Sequence, residues 1–353
     1  MVKSDLVANL KISDSLFEIR LLDIPSDGGY RQFVKGRWLA ASLAAVVVAA
    51  AVGVAEVSAA LGQATPSQRS SQSQSPPPPP PPAMKIPPLT IKGTEQMIDV
   101  GGRRLHCVIY GSGGPTVVLV SGFQAPQAYW NPVVPGIAEI TTVVTYDRAG
   151  YGKSERGDLP VHGRQAAVDL HVLLGKLGVR KPYLLVGHSY GGRIVRLFAA
   201  AYPAETAGLI LEEASHEDLP DAQLEALTGK DRETLAAMIA PYRTTVPNPR
   251  TETDYMLATV EQLHQSGPLP RVPLTVITSA SRGSGLPPVF SPESQARLTD
   301  VAMTMQKKLA DLIPGAEQIL VEGVGHNVHV DKPEAVLAPI RAMIARLRGQ
   351  PAK

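Results

Sequence analysis

Ser189, His326 and the adjacent carboxylates Glu212 and Glu213 are the residues whose types and settings could carry covalent chemistry. Ser189 stands in Val186-Gly187-His188-Ser189-Tyr190-Gly191-Gly192, with the apolar run Tyr183 to Val186 before it and a helix-like run, Arg193 to Ala201, after it. That order predicts a strand, a sharp turn and a helix, with the serine at the apex. Glycines two positions to either side would let strand and helix pack closely around it. A hydroxyl attacks a carbonyl at neutral pH only when a base takes its proton and a third group orients the base. His326 supplies a base downstream, in Gly323-Val324-Gly325-His326-Asn327, just past the strand-like run Gln318 to Val321. His329 is its rival; it alternates with Val328 and Val330 and equally suits a packed histidine. The loop closes where Asp331 can cap a helix that has Pro333 in its first turn and runs on through Ala335 to Leu347.

Taken with Asp147-Arg148-Ala149-Gly150-Tyr151-Gly152-Lys153-Ser154, these motifs make the chain resemble the α/β-hydrolase family, specifically the cap-bearing serine hydrolases of the esterase type. The resemblance covers roughly residues 88 to 348. It implies that Ser121-Gly122-Phe123, after the strand-like Thr116 to Val120, is the oxyanion-hole loop, although the family more often has histidine before the glycine. A serine there leaves the hole intact if its donors are backbone N–H groups. By the same carry-over those donors are the N–H groups of Phe123 and Tyr190.

The acid's usual family position, after the seventh strand, is empty of carboxylates: Leu274 to Thr278 is followed by Ser279-Ala280-Ser281-Arg282-Gly283. The alternative lies after the sixth strand, where Leu209-Ile210-Leu211 runs into Glu212-Glu213-Ala214-Ser215-His216. Relatives with similar stretches carry an aspartate two residues before the Ser-His pair, which lands on Glu213. Glu212 is the alternative and Glu293 a distant one; one glutamate of the pair is expected to be a solvated charge at a strand end.

The elements that must position these groups alternate along the chain. Strands are expected at Glu95 to Val100, Arg104 to Tyr110, Thr116 to Val120, Thr142 to Tyr146, Pro182 to Val186, Ala207 to Leu211, Leu274 to Thr278 and Glu317 to Val321, with helices between them after the first three. The fold class is therefore α/β: an α/β-hydrolase fold with a mostly parallel eight-stranded sheet, helices on both faces and the site at the strands' C-terminal ends. Residues 215–271 are helical in pattern and too long for a loop; they predict a cap inserted after the sixth strand, whose apolar residues either line an acyl pocket or pack on the core. His188 is expected beneath the elbow, aimed away from the cleft. His106, His162, His171 and His264 lack metal-ligand spacing, so no metal is called for, and Asp147 with Arg148 suits a structural ion pair.

Composition excludes other classes. A net charge of +2 without a basic cluster in the folded part argues against nucleic acid, and no glycine-rich phosphate loop calls for a nucleotide cofactor. The single cysteine, Cys107, rules out an intramolecular disulfide and sits in a probable strand. The expected activity is hydrolysis of a carboxylic ester, a small-molecule substrate, through an acyl-enzyme intermediate and without cofactor. Acyl transfer or amide hydrolysis would use the same residues, a cofactor-free peroxidase or lyase is compatible with the frame, and a non-catalytic ligand-binding relative is the alternative from another class.

The catalytic domain is expected at residues 88–350, preceded by a cytoplasmic segment at 1–36, an anchor or signal segment at 37–62 and a Ser/Gln/Pro-rich linker at 63–87. Trp38 to Ala55 is an uncharged run of eighteen residues, long enough to span a bilayer, and Arg31, Lys35 and Arg37 precede it. Pro76 to Pro82 would stiffen the linker as extended polyproline. The basic flank puts the catalytic domain outside the cytoplasm, anchored if the run is retained and secreted if it is cleaved near Ala60. The full chain is expected to sediment with membranes, and a chain beginning near Lys85 to be soluble and active. Recovery of the full chain wholly in the soluble cytoplasmic fraction would overturn this topology, whereas a mature N-terminus near Ala60 would identify a cleaved signal.

Overall fold

The computed structural model describes residues 86–281 and 289–350. The N-terminal segment, the apolar run and nearly all of the proline-rich linker lie outside the described residues, and among the described residues no helix is long and apolar enough to cross a membrane. Eight strands form one sheet: β1 (Thr94–Asp99), β2 (Arg104–Tyr110), β3 (Val117–Val120), β4 (Val143–Tyr146), β5 (Tyr183–His188), β6 (Thr206–Glu212), β7 (Leu274–Ser279) and β8 (Glu317–Val321). They lie in the order β1-β2-β4-β3-β5-β6-β7-β8. The β1–β2 and β2–β4 pairs are antiparallel and every other pair is parallel, so the expected mostly parallel sheet is present.

The central strands are continuous apolar runs because both of their faces are covered. Side chains alternate across the sheet. Val118, Val120 and Leu185 join one core, while Val117, Leu119, Leu184 and Val186 join the other. The first core is roofed by α2 (Gly163–Leu177) and α3 (Tyr190–Ala201), through residues such as Leu170, Leu174, Ile194 and Phe198. The second is covered by α1 (Val134–Ala138) and by the long C-terminal helix Glu334–Leu347, through Ile137, Val336 and Ile340. Cys107 is buried in the first core, and burial pushes its thiol up to about 11, well out of range of thiolate chemistry at neutral pH.

The expected cap is inserted between β6 and β7. It carries α4 (Leu219–Ala226), α5 (Gly229–Ile239) and α6 (Met256–His264). Its apolar residues divide between the two expected roles. Leu227 and Leu235 are buried with Phe290 and with Leu298 of α7 (Pro292–Ala310), whereas Ile239, Tyr242 and Met256 line a cavity beside Ser189.

The elbow depends on close backbone approach. A Cβ at Gly187 would lie 2.7 Å from the Gly191 carbonyl oxygen, and one at Gly191 would lie 2.2 Å from that of Val120. Gly191→Ala should therefore push α3 off the end of β3 and cost about 1–3 kcal/mol of stability, read as a lowered urea midpoint. An unchanged midpoint would show that the packing here is not as tight as the backbone contacts indicate.

Candidate active site

Ser189 has φ 51 and ψ −118, a backbone conformation that a non-glycine residue adopts only when its surroundings enforce it. Two hydrogen bonds do so: Ser189 N–H donates to the Glu212 carbonyl (3.0 Å), and Ser215 N–H donates to the Ser189 carbonyl (3.0 Å). The elbow at the end of β5 is thereby stitched to the end of β6, the strand that carries the two glutamates. Tyr190 is the first residue of α3, so its N–H has no carbonyl one turn earlier to bond.

Glu212 and Glu213 are both fully buried, which corrects the expectation that one of them is a solvated charge. Their side chains diverge because Glu213 adopts φ 45, turning the chain sharply just past the strand. Glu213 Oε2 lies 3.1 Å from His326 Nδ1, and its Oε1 accepts from Ser279 N–H at 2.8 Å. The position after β7, where the resemblance leads one to look for an acid, thus helps hold an acid that comes from β6. Ser279 Oγ also donates to the Val324 carbonyl (2.6 Å), tying that strand end to the loop bearing His326.

Glu212 faces the other way. Its Oε1 accepts from both the backbone N–H and the Nδ1 of His329, at 2.8 and 2.7 Å. Burial by itself would raise the Glu212 carboxyl, but His329 outweighs it and holds the group below the usual carboxylate range. His329 is the packed histidine that its alternation allowed, resting against Trp130 with ring centroids 4.6 Å apart. His326, by contrast, has a half-exposed ring.

His188 is beneath the elbow, as its alternation predicts, and its Nε2 donates to the His326 carbonyl at 3.0 Å. Because a carbonyl only accepts, Nε2 carries the proton and Nδ1 is bare. Burial depresses the ring's pKa to about 3, so it stays neutral. Donor atoms of His188, Glu212 and His329 approach within 4.8 Å of one another, the one grouping among the described residues with metal-like composition. The His329–Glu212 hydrogen bond already occupies the inner atoms of two of the three.

On the other side of Ser189 lies the loop after β3. A Cβ at Gly122 would lie 2.8 Å from His188 Nδ1 and 3.3 Å from Ser189 Cβ, so the loop's close approach to the elbow depends on a glycine there. Arg148 fixes the loop from behind: Nη1 and Nη2 donate to the Ser121 and Gly122 carbonyls, each at 2.6 Å. The N–H of Phe123, the next residue, has no acceptor among the described residues. Arg148 also forms a bidentate pair with Glu252 of the cap, at 2.5 and 3.1 Å, and Gln124 N–H donates to the same carboxylate. This corrects the expected Asp147–Arg148 pair; Asp147 instead binds His106 (2.8 Å) and the Gln127 N–H (2.8 Å). No local pattern pointed to Glu252, which lies 104 residues from its partner.

Phe123, Ser189, Tyr190, Arg193 and cap residues enclose a cavity of about 250 Å³. Arg193 was legible only as one of two cations, with Arg196, in a mostly apolar helical run after the elbow. Ser189 and the Phe123 and Tyr190 N–H groups thus lie at the C-terminal ends of β3 and β5, and the Glu213–His326 pair joins the ends of β6 and β8. Such a constellation can activate a hydroxyl and receive a developing oxyanion.

The chain is similar to known proteins over the same region. Residues 117–338 match the model of the alpha/beta hydrolase family. YqjL, an uncharacterized protein of Bacillus subtilis (strain 168), is 26% identical over 232 residues, which are 64% of this chain and 82% of that protein. A soluble epoxide hydrolase of Corynebacterium sp. (strain C12) is 35% identical over 106 residues, which are 30% of this chain and 36% of that one, so the match spans about a third of the relative's length. Among solved structures, Cfl2 of Burkholderia cenocepacia superposes with a TM-score of 0.51 at 20% identity over 71% of this chain and 95% of that one, a likeness of fold. The family match spans more than half of the sequence and all of the strands from β3 to β8, and the chain belongs to the alpha/beta hydrolase family.

Proposed function

We propose that this hydrolase cleaves a carboxylic ester through a covalent acyl-enzyme, with Ser189 as nucleophile, His326 as general base and acid, and Glu213 as the group that orients His326. The observation that carries the proposal is the Glu213–His326 hydrogen bond, 3.1 Å between residues 113 apart in sequence, formed beside a serine held in a strained elbow. A carboxylate on Nδ1 leaves Nε2 as the basic nitrogen and stabilises the imidazolium that forms when Ser189 gives up its proton. The serine oxygen then attacks the ester carbonyl. The negative charge on the former carbonyl oxygen is met by the N–H groups of Phe123 and Tyr190, already oriented and costing no reorganisation. Collapse expels the alcohol with the proton from His326, and water, deprotonated by the same ring, releases the acid.

Ester cleavage is favoured over epoxide opening or dehalogenation because relatives catalysing those reactions are expected to hold a carboxylate at the elbow, where this chain has a hydroxyl. The basic flank and apolar run at residues 31–55 support a catalytic domain carried outside the cytoplasm.

Ser189→Ala should abolish labelling by a fluorophosphonate and lower p-nitrophenyl ester hydrolysis by about 10³-fold or more, with circular dichroism unchanged. Substantial turnover by the alanine variant would refute the nucleophile. The two glutamates should separate by readout. Glu213→Gln should lower kcat by about 10³-fold or more, since it no longer favours the productive tautomer of His326. Glu212→Gln should chiefly cost about 1–3 kcal/mol of stability, because an amide cannot reproduce both bonds to His329 without leaving a buried polar group unmet. An equal kcat loss in the two variants, with equal melting temperatures, would contradict this division.

A further inference from the structure

Four arginines are buried among the described residues: Arg103, Arg148, Arg193 and Arg196. Three of them hold carboxylates. Arg103 binds Asp169, Arg148 binds Glu252, and Arg196 grips both oxygens of Glu217 at 2.6 and 2.8 Å. Arg193 has no carboxylate partner among the described residues. Its Nε donates to the Ser215 carbonyl (3.3 Å), its Nη2 to the His216 carbonyl (3.1 Å), and its Nη1 faces the Met256 thioether at 2.9 Å. Those are two neutral carbonyls and one weak acceptor. A guanidinium has five N–H groups, so two stay uncommitted after these three bonds.

Arg193 lines the cavity that holds Ser189, in the first turn of α3 just past the elbow. Its 4% exposure makes it costly to leave without a counter-ion. Burial lowers its pKa only to about 10, so it remains a cation at neutral pH. The acids on the cavity wall are already engaged: Glu217 by Arg196, and Asp221 by Arg243 at 2.5 Å. Glu217 is near enough to favour the Arg193 cation electrostatically, but both of its oxygens are bonded to Arg196, so no carboxylate bonds Arg193 directly, and the open space next to it is the cavity.

We propose that Arg193 binds a free carboxylate on the substrate, making the enzyme's substrates half-esters of short dicarboxylic acids rather than neutral esters. The proposal deepens the reading of Ser189 as nucleophile and rests on it for turnover, but not for binding. A cavity of about 250 Å³ that both residues line has room for a short spacer between the scissile carbonyl and the carboxylate. A carboxylate oxygen is a far better acceptor for Nη1 than a thioether, and a charged pair in this partly closed cavity would be stronger than one at the surface.

The test is calorimetric titration of the full-length Ser189→Ala chain with monomethyl glutarate and with dimethyl glutarate. The monoanion is expected to bind about 10- to 100-fold more tightly than the neutral diester, and adding Arg193→Met should erase the difference. Equal affinities for the two ligands, including no detectable binding of either, would overturn the proposal. So would a difference that survives Arg193→Met. Should that double variant fail to show a cooperative melt, the comparison made with Arg193 intact decides alone. Turnover separates this proposal from the one it rests on. If Ser189 resists fluorophosphonate while Arg193-dependent binding persists, the nucleophile is misassigned and the carboxylate site stands. If the serine is labelled and the two ligands bind alike, the reverse holds.

Discussion

The structure around the cavity depends on how the end of β5 is fastened to the end of β6. Ser189 gives its N–H to Glu212 and takes one from Ser215, so the strained serine is bracketed by the backbone on either side of Glu213. The strain is local and the bonds that hold it are buried, a combination that keeps a nucleophile in one conformation without help from a ligand. Because the bracket encloses Glu213, any shift of the serine would also shift the carboxylate that supports His326. Residues at 189 and 213, drawn from two crossovers, therefore behave as one rigid unit.

Buried charge builds outward from that unit. Glu213 is fixed by Ser279 N–H, Glu212 by the turn bearing His329, and Arg148 by two carbonyls of the oxyanion loop together with Glu252 of the cap. Each of these ions is buried with directional partners, which offsets the penalty for removing it from water and fixes geometry more than it adds stability. The Arg148–Glu252 contact has a further consequence. It couples the seat of the cap to the loop that bears Phe123, so the cap helps to support that loop as well as covering the cavity.

Sequence patterns revealed what is local. The apolar runs of β3 and β5, the glycine-flanked serine, and a histidine in a loop past the last strand are each written within a dozen residues, and the structure places each at the strand end or turn expected of it. The strand ends moved by only one or two residues. Pairings across crossovers were not legible in the same way. Arg148 beside Asp147 suggested an ion pair between neighbours, yet a side chain leaving a strand end reaches a cap residue 104 positions away more readily than it reaches back to its own neighbour. The resemblance favoured Glu213 over Glu212 as the partner of His326, but nothing in their types foretells the positive φ at 213 or the burial that sends Glu212 to His329.

The absence of an acid after β7 looked in sequence like a gap in the machinery. In the fold it is a change in the direction of support. Ser279 offers an N–H to the carboxylate and a hydroxyl to the Val324 carbonyl, so the end of β7 joins the acid to the loop of the base. A carboxylate at 279 would repel Glu213 in the same buried space, where like charges are poorly screened. Glu213 follows directly on β6, the strand whose end also clamps the serine. With Ser189, Glu213 and His326 all tied to the end of β6, the wall formed by α3 and the cap is free of those ties, and Arg193 is its buried cation lacking a hydrogen-bonded carboxylate among the described residues.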